Sequence, residues 1–373
     1  MSKKAIVTVT NDISTDNRIL KSAAVLAELG FEVSIFGRIH KNSLAVKQLP
    51  YLCIRKKLLF NKGPLFYAEY NIRLFCFLLF HKFDLIYAND LDTLLPCFIA
   101  HKLCKAPLIY DTHEYFTGVP ELAKRPTVRK IWEMIEQRIF PHLKTIITVN
   151  KSIAQLYFEK YNKELQVVRN IPLYREPVLA QREALKLPLL PTKILILQGS
   201  GINVDRGAEE ILEAMQFLHQ AVLLIIGGGD VIEDLKNKVK LLKLEDKVLF
   251  ISRQPYQTLM QYTASSDIGI TLDKDTNINY RFSLPNKLFD YIQARIPVYA
   301  SSLPEIKHIV KHYQVGKIAS SHQPEIIAKE IQEMLNDLEL MKKYQSNCET
   351  AALELCWENE KLQLMNILKP YSD

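Results

Sequence analysis

"KILILQGSGINVDRGAEEIL", residues 193–212, runs from a continuous apolar stretch through a glycine-containing loop into an amphipathic segment. "KILILQG" (193–199) has the length and composition of a strand buried on both faces. Strand, glycine loop and helix in that order make one step of a doubly wound sheet. The position of this step decides the fold, because the same alternation has already run once before it. "AIVTVT" (5–10), "EVSIFG" (32–37), "DLIYAN" (84–89), "PLIYD" (107–111) and "TIITV" (145–149) are separated by helical patterns such as "NRILKSAAVLAELG" (17–30), where Gly30 is a good stop. After "VVRNIP" (167–172) the pattern lapses, and the proline-dotted stretch 173–192 reads as a linker. From residue 193 it restarts with "VLLIIGGG" (222–229), "KVLFI" (247–251), "DIGITL" (267–272) and "IPVYAS" (296–301). The expectation is an α/β chain of two doubly wound Rossmann-like domains, 1–172 and 193–355. Ligands should bind at the carboxyl ends of the strands, in a cleft between the domains.

Bulk composition agrees. A chain of 373 residues is too long for one ordinary core, and 48% hydrophobic residues exclude a disordered protein. The formal charge of +7 favours anionic partners such as nucleotides, phosphorylated substrates or an acidic lipid surface. Six cysteines (53, 76, 97, 104, 348, 356) have no metal-ligand spacing and read as small buried residues in a reducing cytosol. The N-terminus enters a strand pattern directly, so no signal peptide is expected. The most apolar run, "LFCFLLF" (74–80), falls far short of the ~20 residues that span a bilayer. A soluble or peripheral cytoplasmic protein is expected.

Two cations stand where a helix dipole disfavours them. In "SLPNKLFDY" (283–291) a proline and an aspartate suit helix entry, but Lys287 does not. Arg206, at the next helix start after 193–199, repeats the oddity. Either both side chains point into water, or an anion is brought there; two such cations would suit a diphosphate. Asp290 could accept from paired ribose hydroxyls, or be an ordinary N-terminal helix acid. "LIIGGGDVIEDL" (224–235) offers Gly228 and Gly229 either for close ligand approach or for a tight turn.

In the first half, "LIYDTHEYF" (108–116) leaves Asp111, His113 and Glu114 at a strand's carboxyl tip. "YANDLDTLLP" (87–96) places Asn89, Asp90 and Asp92 similarly, with helix capping as the alternative. "TNDISTDNR" (10–18) offers Asn11 and Asp12 to line a cleft floor, and Asp16 as a cap.

Taken together, "NDISTDNRILKSAAVLAELGFEVSIFG", "FDLIYANDLDTLLP", "LIYDTHEY", "VVRNIP", "RGAEEILEAM", "LLIIGGGD", "LFISRQPYQTLMQYTASSDIGI" and "SLPNKLFDYIQARIPVYASSLPEI" resemble, in order and spacing, the GT-B-fold, family 4-like ("group 1") retaining glycosyltransferases. The resemblance implies donor binding by the second domain and acceptor binding mostly by the first. It implies a final helix, 356–373, returning to the first domain. It places Arg206 and Lys287 on the donor diphosphate, with Gly207, Gly228, Gly229, Ser283 and Leu284 around them. Asp290 falls on the nucleotide ribose, and Ile251, Ser252 and Arg253 on the base through backbone. His113 falls beside the reacting centre, with Asn11, Asp12, Asp90, Asp111 and Glu114 on the acceptor side. The donor is then a nucleotide diphosphate sugar. No separate cofactor, metal or nucleic acid is expected, and "DKD" (273–275) is the one acidic pair that could say otherwise.

The chain departs from the family at three places. Phe282 stands where the first of two paired glutamates is usual, Asp290 is one methylene shorter than the second, and Ser200 and Gly201 replace a loop arginine. A GT-B-fold sugar-nucleotide epimerase and a catalytically silent glycan-binding or scaffold subunit therefore stand as rivals. Between Arg55 and Lys82, six basic residues and seven aromatics suggest contact with an anionic membrane surface, against a plain buried helix.

Overall fold

The computed structural model describes residues 2–14, 16–40, 43, 49–123, 125–189 and 191–372. The chain divides into two compact units, Met1–Asn170 with Glu360–Asp373, and Ile171–Asn359.

The first unit is built on β1 (Lys4–Asp12), β2 (Glu32–Arg38), β3 (Leu52–Lys56), β4 (Leu85–Asn89), β5 (Leu108–Thr112), β6 (Thr145–Thr148) and β7 (Gln166–Val167). These form one parallel sheet in the order β3-β2-β1-β4-β5-β6-β7. Strands β4 and β5 are buried along their whole length, which is why they read as unbroken apolar runs. The strand order reverses between β1 and β4, so the loops leaving those two strands open the crevice where such sheets bind ligands. Residues 360–372 of the last helix, Trp357–Ser372, dock on this unit. There the Glu360 carboxylate accepts from the Arg169 backbone N–H and Nε, both at 2.7 Å.

The second unit carries β8 (Lys193–Gly199), β9 (Ala221–Gly227), β10 (Val248–Ile251), β11 (Ile268–Thr271), β12 (Val298–Ala300) and β13 (Gly316–Ile318). Again all pairings are parallel, in the order β10-β9-β8-β11-β12-β13, with the reversal between β8 and β11. Its two cores lie on opposite faces of that sheet: Leu195, Leu223 and Ile270 point to one, Ile194, Leu224 and Val298 to the other.

Several expectations change on contact with the structure. β3 and β13 were not foreseen, because an edge strand ending in Arg55 and Lys56 and a three-residue strand carry little apolar signal. Cysteines 97, 348 and 356 are buried, but Cys76 and Cys104 are exposed, so small buried core residues describes only half of the set. Pro285 is the residue before its helix rather than in its first turn.

The basic-aromatic stretch is split by the helix Pro64–Phe80. Phe66, Tyr70, Leu74 and Leu78, spaced by four, face the core. Among its aromatics only Phe60 and Phe80 are exposed. Arg55 is ion-paired with Asp12 at 2.9 Å and Arg73 with Glu69 at 2.7 Å. Among the described residues no helix is long and apolar enough to cross a membrane.

Candidate functional site

In the second unit the chemistry gathers at the strand-order reversal. The loop leaving β8 carries Arg206, the loop leaving β11 carries Asp273, and the helix Asn286–Gln293 presents Lys287 from its first turn. Asp273 is completely buried, and its Oδ1 lies 3.4 Å from Arg206 Nη1 and 3.8 Å from Lys287 Nζ. Lys287 is only 12% exposed. Burial pushes its ammonium below the ordinary lysine value, Asp273 pulls it back up, and Arg206 adds to the lowering. The Arg206 guanidinium also sits 4.0 Å over the Tyr280 ring, which sets its plane.

Two positive charges thus share one carboxylate, leaving a surplus of one. Arg206 Nε, Asp273 Oδ2 and Ser283 Oγ are buried and find no hydrogen-bond partner among the described residues. A cluster with unused donors and excess positive charge can take up an anion without moving. The "DKD" acids are engaged elsewhere: Asp273 with these cations, and Asp275 with Arg281 Nε at 3.0 Å.

Gly207 enters the following helix at φ 79, and a Cβ there would lie 2.4 Å from the Leu272 carbonyl oxygen, so only glycine lets the two loops meet. Gly229 has a packing constraint of its own. Its missing Cβ would strike the Ile202 carbonyl oxygen at 2.1 Å, so it serves loop packing, while Gly228 faces open space. Asp290 already has partners. It is nearly buried, its Oδ1 accepts from Tyr256 Oη at 2.8 Å and its Oδ2 from Gln198 Nε2 at 3.0 Å. Ile251 ends the edge strand β10, and Ser252 and Arg253 follow it on the surface; Leu284 is half-buried beside Ser283.

In the first unit, His113 follows β5 and meets Asn89, the last residue of β4, and Asp90 just after it. Asp90 Oδ1 accepts the His113 backbone N–H at 2.9 Å, and Asp90 Oδ2 lies 3.1 Å from Nδ1. Asn89 Nδ2 donates to the Thr8 carbonyl at 3.0 Å, which turns Asn89 Oδ1 toward His113 Nε2 at 3.2 Å. Both ring nitrogens therefore face acceptors, and the network assigns a doubly protonated imidazolium. Burial alone would lower its pKa, but the Asp90 carboxylate outweighs that and raises it to about 9. His113 is a fixed positive charge here, with no lone pair to act as a base. Asp90 adopts φ 58 and makes no side-chain cap bond, so the expected alternative of helix capping gives way to this clamp.

Asp111 is not an open cleft residue. Both its oxygens are taken by Arg18, Nε at 3.1 Å and Nη2 at 2.6 Å, and Tyr87 Oη donates at 2.8 Å. Burial opposes its ionisation, but the Arg18 charge keeps its carboxyl below the usual range. It underlies the site, 3.8 Å from His113 Nε2. Asp12 likewise accepts from Arg55, Ser14 N–H and Ser14 Oγ, while Asn11 is exposed. Glu114 and Asp92 are each raised to about 7, by burial first and the Asp90 charge second. Asp92 Oδ2 accepts from Thr10 Oγ1 at 2.5 Å.

Arg18, Asp273, Gln198 and Tyr256 were missed from sequence. Arg18 had a signal, for it stands second in its helix just as Lys287 does. Asp273 was read only as half of an acidic pair.

The family description "Glycosyltransferase Family 4" matches residues 17–171, and "Glycosyl transferases group 1" matches residues 182–350. An uncharacterized glycosyltransferase of Methanocaldococcus jannaschii is 22% identical over 303 residues, 77% of this chain and 75% of that protein. Among solved structures, sucrose-phosphate synthase from Thermosynechococcus elongatus superposes with TM-score 0.81 at 17% identity, covering 99% of this chain and 98% of the other. Anabaena HepE in complex with UDP and glucose superposes with TM-score 0.76 at 15% identity, covering 99% and 100%. WaaG, a glycosyltransferase involved in lipopolysaccharide biosynthesis, gives 0.74 at 14% identity, covering 96% and 99%. These likenesses show the GT-B fold.

Proposed function

We propose, from the premise that the chain belongs to the family 4 and group 1 glycosyltransferases, that it moves a sugar from a nucleotide diphosphate sugar to a hydroxyl of a glycan or lipid-linked glycan, with retention. One observation carries the donor assignment: the surplus positive charge of Arg206 and Lys287 around Asp273, at the strand-order reversal of the second sheet. In the reaction the bond from the anomeric carbon to the diphosphate oxygen breaks. The acceptor oxygen bonds to that carbon on the same face, and its proton passes to the departing phosphate. Negative charge grows on the diphosphate as it leaves, where two preorganised cations stabilise it most. His113, held as an imidazolium by Asp90 and Asn89, has no lone pair to serve as a base.

HepE, solved with UDP and glucose, makes UDP-glucose the first donor to try. WaaG's part in lipopolysaccharide biosynthesis supports a role in cell-surface polysaccharide assembly. The test is incubation with a panel of nucleotide sugars and glycan acceptors, following anomeric configuration by NMR. A retained linkage formed in excess EDTA is expected. Epimer appearing without acceptor would mean an epimerase. Nucleotide binding with no turnover on any donor would favour the silent subunit, the second reading that Phe282 supports.

Peripheral membrane contact would suit a lipid-linked acceptor. Glu69 accepts from the Leu59 and Phe60 backbone N–H groups at 2.9–3.1 Å, holding that exposed apolar pair along the helix Pro64–Phe80. Lys57, Lys62 and Lys82 are exposed nearby in sequence. Each basic residue at an anionic surface contributes about 1 kcal/mol, so Lys57→Glu with Lys62→Glu should weaken co-sedimentation with anionic vesicles at least tenfold. Equal sedimentation with neutral and anionic vesicles, or none with either, rejects the idea.

A further inference from the structure

Arg38, the last residue of β2, is a cation with almost nothing to bind. Its register partner on β1 is Asp12, but that carboxylate goes to Arg55 at 2.9 Å. The Arg38 guanidinium makes one long contact, Nη1 to the Asn61 carbonyl at 3.4 Å. Its Nε is buried without a partner, and no carboxylate lies within ion-pair distance among the described residues. Arg38 is half-buried; burial depresses its pKa, and the neighbouring Tyr67, Asp92 and Asp12 offset that only in part. The same buried, unpartnered Nε marks Arg206 at the donor diphosphate site.

Its surroundings are built rather than accidental. The guanidinium lies 4.5 Å over the Phe66 ring, which fixes its plane. Tyr67, the next residue, packs edge-on to Trp132 at 5.1 Å, and Phe116 packs against the same Trp132 at 5.4 Å. All of this stands at the carboxyl edge of the first sheet, where a doubly wound domain binds its ligand. A planar five-donor fork suits a phosphoryl group bidentately, and Tyr67, backed by the buried Trp132, is half-buried beside it.

We propose that Arg38 is the acceptor-recognition residue, and that the acceptor is an anionic sugar held through a phosphate or diphosphate group on Arg38, with its ring beside the half-buried Tyr67. This rests on the glycosyltransferase reading and names its acceptor class.

The test isolates this site from the donor site. In the Arg206→Ala, Lys287→Ala chain, inorganic pyrophosphate should still bind with one saturable site by calorimetry. Adding Arg38→Gln should weaken that binding at least tenfold. Arg38→Lys keeps the charge but not the fork and should weaken it at least threefold, which preserves the test if the glutamine variant does not fold. A short prenyl diphosphate binding more tightly than pyrophosphate, still dependent on Arg38, assigns a lipid-linked acceptor; equal affinities assign a soluble phosphosugar. No saturable binding in the parent chain, or binding indifferent to both Arg38 substitutions, overturns the proposal. UDP binding by the unmodified chain reports on the donor site separately, so either reading can fail alone.

Discussion

Arg206→Ala together with Lys287→Ala should lower kcat/KM for the nucleotide sugar by roughly 10²- to 10⁴-fold, because each charge-assisted hydrogen bond to the diphosphate contributes roughly 1.5–3 kcal/mol. Each single variant should cost about 10- to 150-fold on the same basis. Calorimetry with the free nucleoside diphosphate should show the loss in binding as well. The geometry supplies an internal control. Asp273 sits between both cations and cancels one of their two charges. Asp273→Asn should therefore bind the diphosphate more tightly while the double variant binds it more weakly. If both the double variant and Asp273→Asn bind like the unmodified protein, the cluster is a structural ion network and the donor site lies elsewhere. Tighter binding in Asp273→Asn would be hard to obtain from a merely structural role, which predicts loss or nothing.

How much of this could be read in the sequence depends on which contacts are local. The strands that became β4, β5, β8 and β9 were legible because both their faces are buried, so the apolar run is unbroken. β3 was not, since an edge strand faces solvent and carries polar groups. The helix-entry cations show the limit for the site. Lys287 and Arg18 occupy the same position of their helices, and both are answered by a buried carboxylate from a distant strand end, Asp273 or Asp111. The oddity was visible in the sequence; its partner was not, because those pairs close over 14 and 93 residues of chain. What separates the two is charge balance. Arg18 and Asp111 neutralise each other through two hydrogen bonds, whereas Asp273 must serve two cations at longer distances. Only the second arrangement has positive charge to spare for a ligand. Gly229 illustrates the same limit, since a glycine kept for backbone packing on Ile202 looks in sequence like one kept for a ligand.

That contrast leads to the opposite expectation for Asp111. Replacing it with alanine should not weaken nucleoside diphosphate binding, but should destabilise the first unit by about 3–5 kcal/mol, the cost of leaving one member of a buried ion pair alone. Arg18 is 6% exposed and Asp111 is fully buried. Arg18 Nη1 also donates to the Val168 carbonyl at 2.9 Å, so the pair ties the first helix to β5 and to the segment after β7. Without Asp111, the guanidinium keeps that one carbonyl and Tyr87 Oη loses its 2.8 Å acceptor. Urea unfolding should show an earlier transition, while the stabilisation by added nucleoside diphosphate persists. The pH dependence follows from the sign of the shift. The folded carboxyl is held below its ordinary value, so its contribution is present above about pH 4, the unfolded value. It is lost only as pH falls through the lower folded value. The gap between the two proteins should therefore be the same at pH 5 as at pH 7, and close in stronger acid. A midpoint unchanged at neutral pH would mean that Arg18 finds another anion, and that the first site is not built on this pair.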